Sequence, residues 1–521
     1  MFLLNKINDF YGGIDFISMK TNKSSSQLNH LIIPKKFCVL VDGQILLQKK
    51  IIVSPGEMVL RGQMLAVGSN DIAPIHSPTS GIIASISKKK FNFISNKYFG
   101  IINIKSDGSD KWIHRVSTCN YKELSYNTLI QLIYDSGIVG LGGSGFLSSK
   151  KLKYALKCKM VHTLVVNAAE SEPYITSDDC LIKNFSDDII KGCQIIKWIL
   201  KIKNVLIAIE SDKIISYEKM KNIIEYFSDF EIRKITTRYP SGSSKQLIKI
   251  LFDKEVPLGK HAIDLGIIIF NVATIFAIKR AVLNGEPLTE RIVTISDVNL
   301  SFQKNILTRI GTPIDHILKQ FNIDAKKNKF ILGGPITGII INDLNFSIIK
   351  TSNSILYSEF SFNNNLERPC IRCTACSSAC PMFLFPEQLY FYSKSFDHLK
   401  SQEYNINECI ECGICEQVCP SNIPLLTYFR KEKLKLKERT FKKNISKKFK
   451  NLFISRQSRL YSSGAINENI ICSSNILSKS VKKKFTQNKN IDKIFVKNVE
   501  HTRQKTLEES IRRAKFKRNI K

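Results

Sequence analysis

Cys370-Ile-Arg-Cys373-Thr-Ala-Cys376-Ser-Ser-Ala-Cys380-Pro381 and Cys409-Ile-Glu-Cys412-Gly-Ile-Cys415-Glu-Gln-Val-Cys419-Pro420 decide how this chain is read. Each run is C-x-x-C-x-x-C-x-x-x-C-P, the spacing at which thiolates hold [4Fe–4S] clusters in two-cluster ferredoxins. Three thiolates, each separated by two residues, wrap a tight loop around one face of a cubane. The chain then turns away into a helix, so the fourth cysteine of each run reaches the other cluster. The expected ligands are Cys370, Cys373, Cys376 and Cys419 for one cluster, and Cys380, Cys409, Cys412 and Cys415 for the other. Zinc is the rival occupant, but its cysteines usually come as pairs with a long spacer, which two consecutive triplets do not resemble.

These eight cysteines lie within 50 residues; the other six of the 14 (Cys38, Cys119, Cys158, Cys180, Cys193 and Cys472) are scattered. Clustering of that kind in a large chain argues for metal rather than disulfides. At 521 residues the chain is expected to hold several domains, and 43% hydrophobic with 24% charged residues excludes global disorder and collagen-like architecture. The longest apolar run, Gly266 to Ile278, has 13 residues and contains Asn271 and Thr274. A membrane span needs about 20, so this run reads as a buried strand–turn–helix. The start, MFLLNKINDF, lacks a basic leader region and is not expected to be a signal peptide.

The net charge of +33 is uneven: residues 431–521 carry 27 Lys/Arg against 7 Asp/Glu. Abundant Ile, Lys and Asn throughout make part of that excess compositional. Basic tails are usually solvated or held at anionic surfaces. Nucleic acid is therefore not the expected partner of this tail, whereas an anionic membrane surface is a candidate.

Working outward from the cysteines (359–430), five segments emerge. Residues 1–120 contain short strands around Val53-Ser-Pro-Gly-Glu-Met-Val-Leu-Arg-Gly-Gln63 and His76-Ser-Pro-Thr-Ser-Gly81, a pattern that resembles a lipoyl-type barrel sandwich. No lysine stands between Met64 and Gly81 to carry a prosthetic arm, so the barrel is structural. Residues 121–288 alternate strands and helices, implying a parallel α/β sheet. A helix from about Thr128 stops at Gly137, Thr163–Asn167 and Val205–Glu210 are strands, and Ser186-Asp-Asp188 is expected to cap a helix running to about Ile202. A further helix is expected near 217–228 and a strand near Ile232 to Arg238. Residues 289–358 suit a small α+β module containing Gly333-Gly-Pro-Ile-Thr-Gly338. Residues 431–521 begin with the helix-compatible KEKLKLKERTFKK and are otherwise expected to be disordered.

Gly140-Leu-Gly142-Gly143-Ser-Gly145-Phe146 lets backbone N–H groups approach a phosphate. Lys151 follows, and Asn167-Ala-Ala-Glu170-Ser171-Glu172-Pro173 ends the next strand, where open α/β sheets bind ligands. In this order, with Tyr239-Pro-Ser-Gly242 and the two cysteine runs, the chain over about residues 7–430 resembles the RnfC/RsxC family of the Rnf/Rsx electron-transport complex. Its second segment is similar to the NADH-binding subunit of respiratory complex I. The resemblance implies a Rossmann-like FMN- and NAD(H)-binding domain followed by a β-grasp, SLBB-like module. Gly140, Gly142, Gly143, Gly145 and Lys151 would hold the FMN phosphate region and Asn167 and Ser171 would contact the flavin. Asn271 and Thr274 would close the site, and Phe146 and Glu172 would face the pyridine nucleotide.

The match departs from pattern at several places. Leu147 follows Gly-Phe where proline is usual, Ala169 replaces an aspartate, and Ser243-Ser244 replace two glutamates beside the nicotinamide in complex I. Asp15 in Gly12-Gly-Ile-Asp15 stands where relatives have histidine. What the resemblance implies is a peripheral redox subunit on the cytoplasmic side of the inner membrane in a bacterium with a reduced, AT-biased genome. NADH, FMN and two [4Fe–4S] clusters would exchange electrons, coupled to ion translocation by integral and iron–sulfur partners (Rnf/Rsx A, B, D, E and G). The competing expectation is an electron-relay and docking module with no pyridine-nucleotide site of its own.

Overall fold

The computed structural model describes residues 9–16, 27–43, 45, 48, 50–69, 71–91, 98–118, 120–359 and 366–462. Cys119, Cys472 and the expected disorder of 463–521 lie outside the described residues. The chain divides into two units, Met1–Arg430 and Lys431–Lys521.

The first module is an antiparallel sheet in the order β2 (Lys36–Val41), β7 (Tyr98–Ser106), β6 (Gly81–Lys90), β3 (Met58–Val59), with a separate β4 (Met64–Ala66)–β5 (Ile75–His76) pair. Alternation turns Phe37, Val39, Val41, Ile102 and Ile104 inward, where they pack with Leu65 and Ile83. In a carrier domain the β4–β5 loop would be the free tip. Here Tyr134 donates to the Ser69 carbonyl (3.1 Å), pinning the loop to the next module.

The second module is a parallel sheet ordered β10 (Phe230–Ile235), β9 (Asn204–Glu210), β8 (Thr163–Ala168), β11 (Ile267–Asn271). β8, β9 and β11 are near-continuous apolar runs because helices cover both faces, while the edge strand β10 carries Glu231, Arg233 and Lys234. Helix α1 (Tyr126–Asp135) starts where Ser125 Oγ accepts from the Thr128 N–H, and ends before Gly137 at φ 71°. Then come α2 (Ser148–Cys158), α3 (Ser177–Leu200), α4 (Ile214–Ile224), α5 (Ser244–Phe252) and α6 (Val272–Asn284). Ser186 does not cap a new helix. α3 already begins at Ser177 and bends at Phe185 (φ −136°), and the buried Ser186 hydroxyl donates back to the Ile182 carbonyl. The Gly266–Ile278 run is β11 entering α6, and among the described residues no helix is long and apolar enough to cross a membrane.

The third module is a mixed sheet ordered β1 (Leu28–His30), β13 (Gln303–Arg309), β12 (Glu290–Asp297), β16 (Ser354–Ser358), β14 (Lys329–Leu332), β15 (Ile339–Ile341), with α7 (Ile314–Gln320) against it. β1 runs parallel to β13, so residues 28–30 leave the barrel and complete this sheet. A charged knot joins the three modules. Glu290 accepts from Arg61 (2.8 Å), Arg280 (2.8 Å) and Arg309 (3.0 Å), while Asp110 takes Arg61 and Arg309. Three guanidinium groups hold the Glu290 carboxyl below its ordinary range despite burial.

The cysteine segment folds into α8 (Ala375–Ser378), α9 (Pro386–Lys394), α10 (His398–Glu403) and α11 (Ile414–Gln417). Helix α12 (Leu425–Ser462) then runs through the expected helical start of the basic segment and well beyond it.

Candidate flavin and iron–sulfur site

β8 and β11 are adjacent parallel strands, and their ends place Asn167 and Asn271 at the same register. This is the carboxyl edge where such sheets take ligands. Asn167 donates to the Gly242 carbonyl (2.8 Å) and accepts from the Ala169 N–H (3.1 Å). Asn271 caps α6 by accepting from the Ala273 N–H (3.0 Å) and donates to Asp178 (2.5 Å). Beneath them Glu170 accepts from the Ser177 hydroxyl and the Asp178 and Asp179 N–H groups, closing the start of α3. Burial and the nearby Glu170 charge push the Asp178 carboxyl up to about 8.

The glycine loop closes on itself: Gly140 N–H donates to the Phe146 carbonyl (2.8 Å) and Gly145 N–H to the Gly140 carbonyl (3.0 Å). Two buried side chains hold it from below. Thr274 Oγ1 accepts from the Leu141 N–H (2.9 Å), and Arg291 from β12 donates to the Leu141 carbonyl (3.2 Å). Gly143 (φ 96°) and Gly145 (φ 62°) occupy the left-handed region, which glycine enters freely. At Gly142 a Cβ would stand 3.2 Å from the Asn271 side chain, filling the cradle between loop and strand end.

A cavity of about 270 Å³ opens over this edge. Gly142, Asn167, Ser171, Glu172 and Asn271 line it; so do Asp178, Tyr239, Ser243 and, from the second cysteine run, Ile410, Glu411 and Cys412. Gly140, Gly143, Gly145, Phe146, Lys151 and Thr274 are not among its lining residues. The Lys151 ammonium instead donates to the Ile269 carbonyl of β11, and burial lowers it to about 8. Phe146 is exposed outside the cavity. Glu172 is spoken for as well. Its carboxylate accepts from the Ile336 and Thr337 N–H groups (3.0 and 2.8 Å) and the Thr337 hydroxyl (2.8 Å). Gly334 leaves room for it, since a Cβ there would meet the carboxyl at 2.3 Å. The Gly333–Gly338 turn is thus the receptor for Glu172, which clamps the third module to the second.

The cysteines gather in two hollows. One is lined by Cys370, Cys373, Cys376 and Cys419, the other by Cys380, Cys409, Cys412 and Cys415. Among the described residues no three His, Cys, Asp or Glu side chains converge as a single ion requires. Four thiols spread around an apolar hollow suit a cubane better than zinc. Burial pushes the Cys412 thiol up to about 12, and burial with the Glu387 charge does the same to Cys376. Iron supplies the positive charge that such thiolates need.

Three family models match: an RnfC barrel sandwich hybrid domain over residues 8–109, a Nuo51 FMN-binding domain over 133–280 and a 4Fe-4S dicluster domain over 369–423. A Buchnera aphidicola (subsp. Baizongia pistaciae) protein, named as the C component of an ion-translocating oxidoreductase complex, is 52% identical over 87% of this chain and 90% of its own length. The chain belongs to the RnfC family of ion-translocating oxidoreductase complex subunits. A second Buchnera member, from subsp. Acyrthosiphon pisum, is 46% identical over 90% of this chain and 96% of its own. The Erwinia tasmaniensis member is 40% identical over 88% of this chain but only 57% of its own length. The protein is thus a redox subunit with an FMN-binding domain and a 4Fe-4S dicluster domain, part of a multi-subunit ion-translocating complex.

The residues fit the flavin of that family: Gly142 of the glycine loop, two strand-end amides and the buried acids Glu170 and Asp178 at the start of α3 border one cavity. Sequence reasoning assigns no role to Asp178, Tyr239 or Arg291. Asp178 carries a usable signal, as an acid in the first turn of a helix following the Asn167–Pro173 motif. Arg291 has none, because it comes from another module. Tyr239 shows in the sequence only as the start of the Tyr-Pro-Ser-Gly motif; its hydroxyl donates to the Cys412 carbonyl (2.7 Å), joining the flavin domain to the second cysteine loop.

Proposed function

We propose that this subunit exchanges electrons between NAD(H) and a flavin at the β8–β11 edge. They then pass first to the cluster of Cys380, Cys409, Cys412 and Cys415, and second to that of Cys370, Cys373, Cys376 and Cys419. The observation that supports this order is that Cys412 lines the same cavity as Asn167 and Asn271. Bound flavin supplies the conversion between two-electron and one-electron chemistry. Gly142 gives the cofactor backbone access, Asn167 and Asn271 present amides to it, and Asp178 holds the Asn271 amide by accepting from it. Ser243 lines the cavity where complex I carries an acid, leaving the nucleotide side less negatively charged. The third module, read as β-grasp and SLBB-like, braces the site through Arg291 and the Glu172 clamp. The subunit works on the cytoplasmic face of the inner membrane, docked on integral and iron–sulfur partners of the same complex.

Anaerobic mixing of the purified protein with NADH tests the reading: the flavin band bleaches and cluster signals follow. A flavin that stays oxidised removes the pyridine-nucleotide step and leaves an electron relay. Gly142→Val should abolish flavin retention, because its side chain meets Asn271; full FMN in that variant would refute the placement.

A further inference from the structure

One stretch of α12, residues 441–453, carries an apolar stripe that the electron route does not use. Phe441, Ile445, Phe449, Leu452 and Phe453 recur at intervals of three and four residues, so they share one helix face. All five are exposed, Phe441 and Phe449 each by 66%. A soluble helix normally turns such a stripe toward a core. Lys443, Lys447, Lys448 and Lys450 stand around it, Lys442 lies at its edge between Phe449 and Phe453, and Arg456 and Arg459 end it on the same side. From Arg439 to Ser462 the chain has no Asp or Glu. Aromatic and aliphatic residues on one face with lysines on the rest is the pattern of a helix lying in the plane of a bilayer surface. Its apolar face enters the acyl boundary and its cations meet anionic headgroups. Lysine stems flanking the stripe can run along it while the ammonium groups reach outward.

We infer that residues 439–454 are an interfacial helix that binds anionic phospholipid by inserting Phe441, Ile445, Phe449 and Leu452. Charge selects this occupant. A protein groove would have to offset every cation of a segment without acids, whereas an anionic leaflet neutralises them collectively. The inference does not depend on the flavin assignment.

Flotation of the full-length, cofactor-loaded protein with vesicles of phosphatidylcholine, alone or mixed with phosphatidylglycerol, tests it. Wild type should float with the phosphatidylglycerol vesicles and be only partly released by salt. Phe441→Ser/Phe449→Ser should lower partitioning by about tenfold or more while flavin and cluster absorbance stay unchanged. Lys447→Gln/Lys448→Gln/Lys450→Gln should weaken binding at low salt and flatten its salt dependence. Failure of wild type to float overturns the inference, as does equal flotation of the phenylalanine variant. So does a phenylalanine variant that floats normally but no longer co-purifies with the other subunits, which would make the stripe a protein contact.

Discussion

The two cysteine runs share a backbone and differ in what covers it. Each residue of the first has its counterpart 39 positions later, as 370 to 409 and 380 to 419. Arg372 and Glu411 both take positive φ (57° and 56°), as do Thr374 and Gly413 (61° and 77°), and each loop runs into a four-residue helix. Yet Ile371 through Thr374 are exposed, while Gly413 and Ile414 are buried. Gly413 lies against Ile336 of the third module, and the Cys412 carbonyl receives the Tyr239 hydroxyl. Even the supporting carboxylate changes sides. In the first run Ser377 donates to Glu387 in α9 (2.6 Å); in the second, Glu416 accepts from the Leu426 N–H in α12 (3.0 Å). Spacing sets which thiols can share a cluster, whereas surroundings set which loop the other modules enclose and which lies open to water.

The largest expected effect follows from that asymmetry. Removing the inner loop's central thiol, Cys412→Ala, should slow reduction of the outer cluster from reduced flavin more than any other change proposed, since the cofactors alone carry the electrons. Cys373→Ala should leave flavin-to-inner-cluster transfer intact. Stopped-flow absorbance with freeze-quench EPR separates the two; equal loss of inner-cluster reduction in both variants would break the proposed order. Cys419→Ser adds a check on the crossed ligands, since it should disturb the signal of the cluster shared with Cys370, Cys373 and Cys376.

Next in size is Gly413→Val. The residue sits at φ 77°, and a Cβ would approach Ile336 Cγ2 at 2.8 Å. Left-handed strain of about 1–2 kcal/mol and overpacking of about 1–3 kcal/mol should together lower the unfolding midpoint clearly. The counterpart change Thr374→Val, already β-branched and exposed, should cost far less. Thermal unfolding of the two variants side by side measures the difference.

Much of this contrast is hidden from the sequence for physical reasons. The grouping of the cysteines around two hollows, the parallel sheet and the strand end at Asn167 are legible because spacing and periodicity are local properties. The partners of Glu172, Lys151 and Arg291 are not, because they lie on other modules or on backbone carbonyls that no motif marks. Gly12-Gly13 is a similar case. No motif marks the pair, but Gly13 N–H donates to the Ala379 carbonyl (3.0 Å) and a Cβ on Gly12 would come within 2.6 Å of the same oxygen. The glycines are there for close approach to the first cysteine run. Ser186 misleads because a hydroxyl before two acids looks the same whether it begins a helix or lies inside a bent one.

Tyr239→Phe probes the inner side alone. It deletes the hydroxyl that donates to the Cys412 carbonyl and leaves the ring in its buried place against Phe16. Losing one buried hydrogen bond should cost about 1–2 kcal/mol. The inner cluster's EPR signal should shift while the outer one stays where it is; a shift in the outer signal instead would reverse the assignment of inner and outer.

The smallest effect is expected on the outer side, and its sign is the opposite. Thr374 holds φ 61° although it is β-branched, a conformation that suits glycine and that threonine tolerates poorly. Its hydroxyl donates to the Cys373 carbonyl (2.7 Å), a local bond at an exposed position that offsets part of the strain. Thr374→Gly removes the strain, the hydroxyl bond and some rigidity of the unfolded chain. The first gain should slightly exceed the two losses, leaving a stabilisation of about 0.5 kcal/mol or less. Gly413 differs in its surroundings alone: one left-handed position lies open to water and accepts either residue, while the other is pressed against Ile336 and accepts only glycine. Equal destabilisation by Thr374→Gly and Gly413→Val in thermal unfolding would mean that the outer loop is as tightly enclosed as the inner one.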